Sequence, residues 1–145
     1  MEIFTIGFTQ SSAERFFGRL KQANLRQLMD VRLNNRSQLA GFAKQDDLKF
    51  FLNAICDMEY RHEPLLAPTQ DILDAYKKNG GEWSIYEQQF MALMQERRIE
   101  THLSPSDFAE PTVLLCSEAT AENCHRRLIV EYLQQHWPDV KAVHL

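Results

Sequence analysis

Apolar and polar positions along the chain fall into two alternating periods. Residues 2–7 form a β-rich apolar run that ends at Gly7. Phe16, Phe17, Leu20 and Ala23 then recur at helical spacing, which predicts a helix over about residues 12–24. Ser11 and Glu14 stand three apart before it and fit a capping box with Ser11 as N-cap. Residues 25–32 read as a second buried strand centred on Leu28, Met29 and Val31, with Asp30 and Arg32 at its carboxyl end. Residues 33–44 hold no period and read as loop. Leu48, Phe51, Leu52 and Ile55 mark the next helix, capped by Asp46 or Asp47, and a short strand over 59–62 stops at Pro64.

The middle of the chain is helical. Thr69 is placed to cap a helix through Ile72, Leu73 and Tyr76, closed by Asn79, Gly80 and Gly81. A second helix spans about 83–97, with Tyr86, Phe90, Leu93 and Met94 on one side. Residues 101–111 are polar and carry prolines, so they read as a surface connection. Residues 112–116 are the clearest buried strand, followed by a helix over about 121–136 and a last strand over 140–144.

The order β-α-β-α-β-α-α-β-α-β predicts an α/β three-layer sandwich. It has a mostly parallel sheet of about five strands, helices on both faces and a helical insertion before the fourth strand. Residues 1–145 read as a single domain, with no linker or repeat. Composition agrees with a globular chain, at 44% hydrophobic and 25% charged residues, and argues against disorder. Area scaling for this size leaves roughly 7,700 Å² exposed, with about 69% of the unfolded surface buried. No apolar run suits a membrane span, and the amino terminus lacks the basic and cleavage regions of a signal peptide. A cytoplasmic protein with no membrane partner is therefore expected. Three cysteines, an odd number, then imply reduced thiols. The net charge of −4 excludes an overall basic surface but leaves room for a local basic cleft.

In a parallel sheet the ligand crevice lies beyond the carboxyl ends of the strands. That rule selects Gly7-Phe8-Thr9, the Asp30-Val31-Arg32 end with its loop to Ser37, and Cys116-Ser117-Glu118 through Cys124-His125-Arg126-Arg127. The last segment is the densest reactive cluster. Glu118 is a candidate general acid or base, Cys116 and Cys124 are candidates for nucleophile or supporting thiol, and His125 is a candidate proton shuttle. Buried packing is the alternative for each cysteine. Arg32 is a candidate phosphate or carboxylate clamp, with Asp30 beside it as acid, base or orienter. Arg36, Ser37 and Lys44 add charge and a hydroxyl to the same rim, and Arg126 and Arg127 would complete a basic mouth. Thr9 and Tyr60 join the substrate-binding candidates, while Trp83 and Tyr86 suit either core or a stacking platform. Cys116, Cys124 and His125 offer three soft ligands. However, adjacent helical residues point about 100° apart, and the spacing does not match a zinc knuckle. No metal and no cofactor is therefore expected.

The motif blocks resemble the DUF488 family over essentially the whole chain. Its pieces are a Thr-Ile-Gly-His-Ser start, an Asp-Val-Arg-x-x-Pro-x-Ser strand end, and Cys-x-Glu followed by Cys-His-Arg. Here they stand as Thr5-Ile6-Gly7-Phe8-Thr9, Asp30 to Ser37, and Cys116-Ser117-Glu118 with Cys124-His125-Arg126. Phe8 replaces the family's histidine, Thr9 its serine and Asn35 its proline. The resemblance implies shared motif blocks without a reaction. The residues themselves suggest an enzyme acting on an anionic, phosphate-bearing partner, a nucleotide or nucleic acid. A non-catalytic nucleotide or nucleic-acid binding module, or a thiol-based metal or redox sensor, are the alternatives.

Overall fold

The computed structural model describes residues 1–36, 41–118 and 120–145. Five strands, β1 (Glu2–Gly7), β2 (Gln27–Asp30), β3 (Glu59–His62), β4 (Thr112–Cys116) and β5 (Lys141–His144), form one sheet in the order β3-β2-β4-β1-β5. Every ladder is parallel, so the sheet is wholly rather than mostly parallel. The registers pair Gly7 with Cys116, Asp30 with Leu115 and Asp30 with His62. The carboxyl ends of β1, β2, β3 and β4 therefore arrive at one edge, and the candidate residues arrive with them.

Two apolar layers cover the sheet, because side chains alternate across each strand. Val113 and Leu115 join Ile6, Leu28, Phe16 and Leu20 on the face of α1 (Ala13–Gln22) and α2 (Gln45–Phe51). Leu114 and Cys116 join Met29, Phe90 and Leu128 on the opposite face. That face carries α3 (Gln70–Lys77), α4 (Trp83–Arg97), α5 (Ile99–His102) and α6 (His125–His136). All five β4 residues are buried, as a strand covered on both sides requires. Each large apolar side chain removed from water in this way contributes about 1.5–3 kcal/mol. The fold is an α/β three-layer sandwich, and the helical insertion lies between β3 and β4 as expected. The exposed surface is 7903 Å². Among the described residues no helix is long and apolar enough to cross a membrane.

Several local expectations are corrected. The N-cap of α1 is Ser12, which accepts from the Arg15 N–H, rather than Ser11. Lys44 stands at the N-cap of α2 without a side-chain bond, and Asp46 and Asp47 sit in its first turn. Thr69 does cap α3, accepting from the Ile72 N–H. The 101–111 connection is not purely superficial. Its α5 and a 3₁₀ turn at Pro105–Phe108 bury Leu103 and Phe108 in the core. The last helix starts at His125 rather than near 121, and that shift reshapes the site.

Candidate active site

Gly7 fixes how the strand ends meet. A Cβ at this position would stand 1.6 Å from the Glu118 carbonyl oxygen, so only glycine lets β1 pass the turn after β4. Arg126 is fully buried and donates from Nη1 to that same carbonyl at 2.6 Å. Thr9 closes the other side, donating both its backbone N–H and its hydroxyl to the Ser117 carbonyl. Thr9 and Arg126 thus hold the Cys116-Ser117-Glu118 turn in place through its backbone.

At the end of β2, Arg32 donates from Nε and Nη2 to the two Asp30 carboxylate oxygens at 2.9 and 2.8 Å. Both groups are buried. Tyr60 donates its hydroxyl to Asp30 at 2.5 Å, and Asn35 donates to the Tyr60 oxygen. Burial and the Asp30 carboxylate drive the Tyr60 pKa far above its ordinary value, so the phenol stays protonated. Arg32 Nη1 has no hydrogen-bond partner among the described residues. Its guanidinium lies 5.3 Å over the Phe8 ring, so the position of the family's histidine is occupied by a buried cation–π partner.

Beyond these ends lies a cavity of about 230 Å³. Its floor is Cys116, Cys124 and His125. Cys124 is the N-cap of α6 with extended backbone, φ −136° and ψ 140°, and His125 is the first helical residue. The helical angle of about 100° between adjacent residues does not apply across that junction. The two side chains converge, and one ligand atom from each of the three residues, a sulfur or an imidazole nitrogen, lies within 4.8 Å of the other two. His125 Nδ1 is 3.4 Å from the Cys116 sulfur, and Nε2 is 2.7 Å from the Val31 carbonyl oxygen. The Cys116 sulfur is also 3.9 Å from Nε2, so it lies across the ring rather than along the Nδ1 lone pair; a carbonyl only accepts, so Nε2 carries a proton. A hydrogen bond from the Cys124 thiol lowers the Cys116 pKa, opposed by burial and aided by the Ser117 N–H and the Arg126 charge. The same bond, with burial, raises the Cys124 pKa. The shared bond thus pushes the two thiols apart, Cys116 toward a lower pKa and Cys124 toward a higher one.

An aromatic wall rises from this floor. Trp83 and Tyr86 stack at 5.1 Å with an interplanar angle of 23°, and Tyr76 packs against both. All three line the cavity. At the mouth Lys77 pairs with the Glu118 carboxylate, both groups being about half exposed. Burial pulls the Lys77 pKa down, but the hydrogen bond and charge of Glu118 together leave it raised.

The structure brings Cys116, Glu118, Cys124, His125 and Arg32 to one cavity. Thr9, Asp30, Arg36, Tyr60 and Arg126 are not among the described residues that line it. The five-residue basic mouth is not assembled. Arg36 is exposed and bonds Gln45, Lys44 is exposed at the start of α2, and Arg127 pairs with Glu87 and Glu131. Ser37 lies outside the described residues. Lys77 and Tyr76 were not singled out from the residues alone. In the sequence Tyr76 reads as part of the apolar face of α3, and the segment from Leu66 through Tyr76 and Lys77 resembles a variant of the DUF488 pattern.

A family model described as "Domain of unknown function DUF488" matches residues 12–133. The chain belongs to the DUF488 family. That match contains the Asp30-Val31-Arg32 and Cys116 to Arg126 blocks of the DUF488 pattern, while Phe8 and Thr9 lie before it. No curated protein and no solved structure matches the chain.

Proposed function

We propose that the cavity is the active site of an enzyme acting on an anionic substrate with a planar ring, a nucleotide or one nucleotide unit of a nucleic acid. One observation carries the reading. A stacked aromatic wall, Arg32 and a sulfur–imidazole floor border a single small volume. The ring packs against the Tyr76, Trp83 and Tyr86 cluster that lines the cavity, and base–aromatic contact is worth about 1–3 kcal/mol per base and tolerant of which base it is. Lys77 takes the phosphate, with the Arg32 guanidinium in the wall beside it adding positive charge. A phosphate at Lys77 displaces the Glu118 carboxylate, which is then released to act as acid or base at the reacting bond. The Cys116–Cys124–His125 group meets the reacting end of the substrate. A volume below the roughly 300–1,000 Å³ of common ligand pockets suits one ring with its substituents.

A screen of nucleosides, nucleotides and short oligonucleotides for product formation tests this reading. Wild-type protein is expected to turn over at least one of them, and Cys116→Ser and Glu118→Gln to abolish that turnover while remaining folded. Full turnover in both variants, or none in the wild type, overturns it. A second reading, a binding module without chemistry, is favoured by Phe8, which leaves no imidazole at the family's histidine position. Saturable, salt-dependent binding without product supports that reading instead.

A further inference from the structure

We propose that Cys116, Cys124 and His125 are the protein ligands of a thiophilic divalent cation, Zn²⁺ by their donor chemistry, with the remaining coordination position open to the cavity. The inference deepens the reading of the cavity as an active site, since it assigns the chemistry of its floor. Two sulfurs and an imidazole nitrogen form a soft set that selects zinc over magnesium or calcium. Zn–S and Zn–N bonds of about 2.3 and 2.0–2.1 Å in a tetrahedron separate two sulfurs by roughly 3.8 Å and sulfur from nitrogen by roughly 3.5 Å. His125 Nδ1 stands 3.4 Å from the Cys116 sulfur, and all three ligand atoms fall within 4.8 Å of one another. Closing on a cation also needs the imidazole to turn, because the Cys116 sulfur lies across the ring, 3.9 Å from Nε2.

The imidazole is already anchored through its other nitrogen. Its Nε2–H donates to the Val31 carbonyl at 2.7 Å, the outer-shell contact that fixes a metal-bound histidine and leaves the other nitrogen free to ligate. Each ligand sits on rigid structure. Cys116 ends β4, Cys124 caps α6 and His125 opens it. Two thiolates balance the charge of one Zn²⁺, so the buried centre is neutral overall. All three residues line the cavity, hence the fourth position faces the substrate space. Three protein ligands with an open position mark a catalytic rather than a structural zinc site. A water there would be acidified toward neutral pH, and a substrate oxygen there would be polarised. The third cysteine supplies an internal control. Cys56 is on the other face of the sheet, its sulfur 3.8 Å from the Phe17 carbonyl.

The test is titration of the reduced, metal-stripped protein with Co²⁺ and then Zn²⁺. One equivalent of Co²⁺ is expected to bring up sulfur-to-cobalt charge-transfer and intense tetrahedral d–d bands, which Zn²⁺ then bleaches. Cys56→Ser is expected to behave as wild type, and Cys116→Ser and Cys124→Ser to lose the stoichiometric bands. Should a ligand variant fail to fold, the wild type decides alone: Zn²⁺ is expected to raise its Tm in a saturable way. Absent cobalt bands in the folded wild type, with no Tm response to Zn²⁺, overturn the proposal and leave the floor as a free thiol–imidazole pair. So does full retention of the bands in Cys116→Ser. Nucleotide turnover that survives metal stripping contradicts the catalytic role of the cation while leaving the nucleotide reading intact. Zinc bound without any nucleotide turnover does the reverse.

Discussion

Arg32 and Asp30 form a bidentate, buried ion pair at the carboxyl end of β2, with the guanidinium closing on the carboxylate two residues before it. The pair serves two ends. It neutralises a carboxylate buried beside the sheet, and it fixes Arg32, whose Nη1 is buried without a hydrogen-bond partner among the described residues, in the cavity wall. Removing one partner leaves the other buried and uncompensated, which costs about 3–5 kcal/mol. Arg32→Ala is therefore expected to lower the stability measured by urea unfolding by that amount. Tyr60→Phe removes a bond to the same carboxylate and is expected to cost less, about 1.5–3 kcal/mol.

Gly7 and Gly18 are expected to respond to alanine with opposite signs. At Gly7 the new methyl collides with the Glu118 carbonyl, which Arg126 also holds. Backbone rather than a flexible side chain must move, so Gly7→Ala is expected to destabilise by about 3 kcal/mol. It should also disturb the Cys116-Ser117-Glu118 turn and impair ligand binding. Gly18 lies inside α1 with open space around its Cα. Gly18→Ala is expected to stabilise by about 0.5–1 kcal/mol. Paired denaturation curves check both.

Acid stability depends in part on Asp107. The Ser104 N–H and the Arg61 guanidinium hold its carboxylate below the usual range, against the effect of burial. A depressed folded-state pKa stabilises the protein above the unfolded value of about 3.9, and that contribution is lost as pH falls through the folded value. Asp107→Asn is thus expected to be less stable than wild type at neutral pH. The gap should narrow as pH falls below about 4. Chemical denaturation at a series of pH values reads the difference directly.

Lys77 separates function from stability. Its ion pair with Glu118 is half exposed, and such pairs contribute about 0–1 kcal/mol. Lys77→Met is expected to leave Tm nearly unchanged while weakening nucleotide binding about tenfold, the loss of one exposed charge-assisted phosphate contact. Calorimetric titration beside a melting curve distinguishes the two effects.

The strands, the cap at Thr69 and the helix over 83–97 were legible because each carries a local signal, a period or a capping residue. The convergence at the floor was not. It depends on Cys124 being an extended N-cap, a one-residue matter of helix boundary that periodicity does not resolve. The arginines show the same limit. Arg32, Arg36, Arg126 and Arg127 look alike in a sequence, yet their roles depend on partners 2 to 40 positions away. The Gly7 constraint likewise comes from a residue on another strand end, Glu118. Trp83 and Tyr86 follow helical spacing equally well as core or as cavity wall, and here they are both.

The proposed occupancy of the cavity by a ring-and-phosphate ligand is tested most directly by a crystal structure of the protein soaked with a nucleoside monophosphate. The expected density has the base against the Tyr76, Trp83 and Tyr86 cluster and the phosphate within hydrogen-bond distance of Lys77. A nucleotide bound elsewhere on the surface, or a cavity with none under saturating soak, would contradict the account.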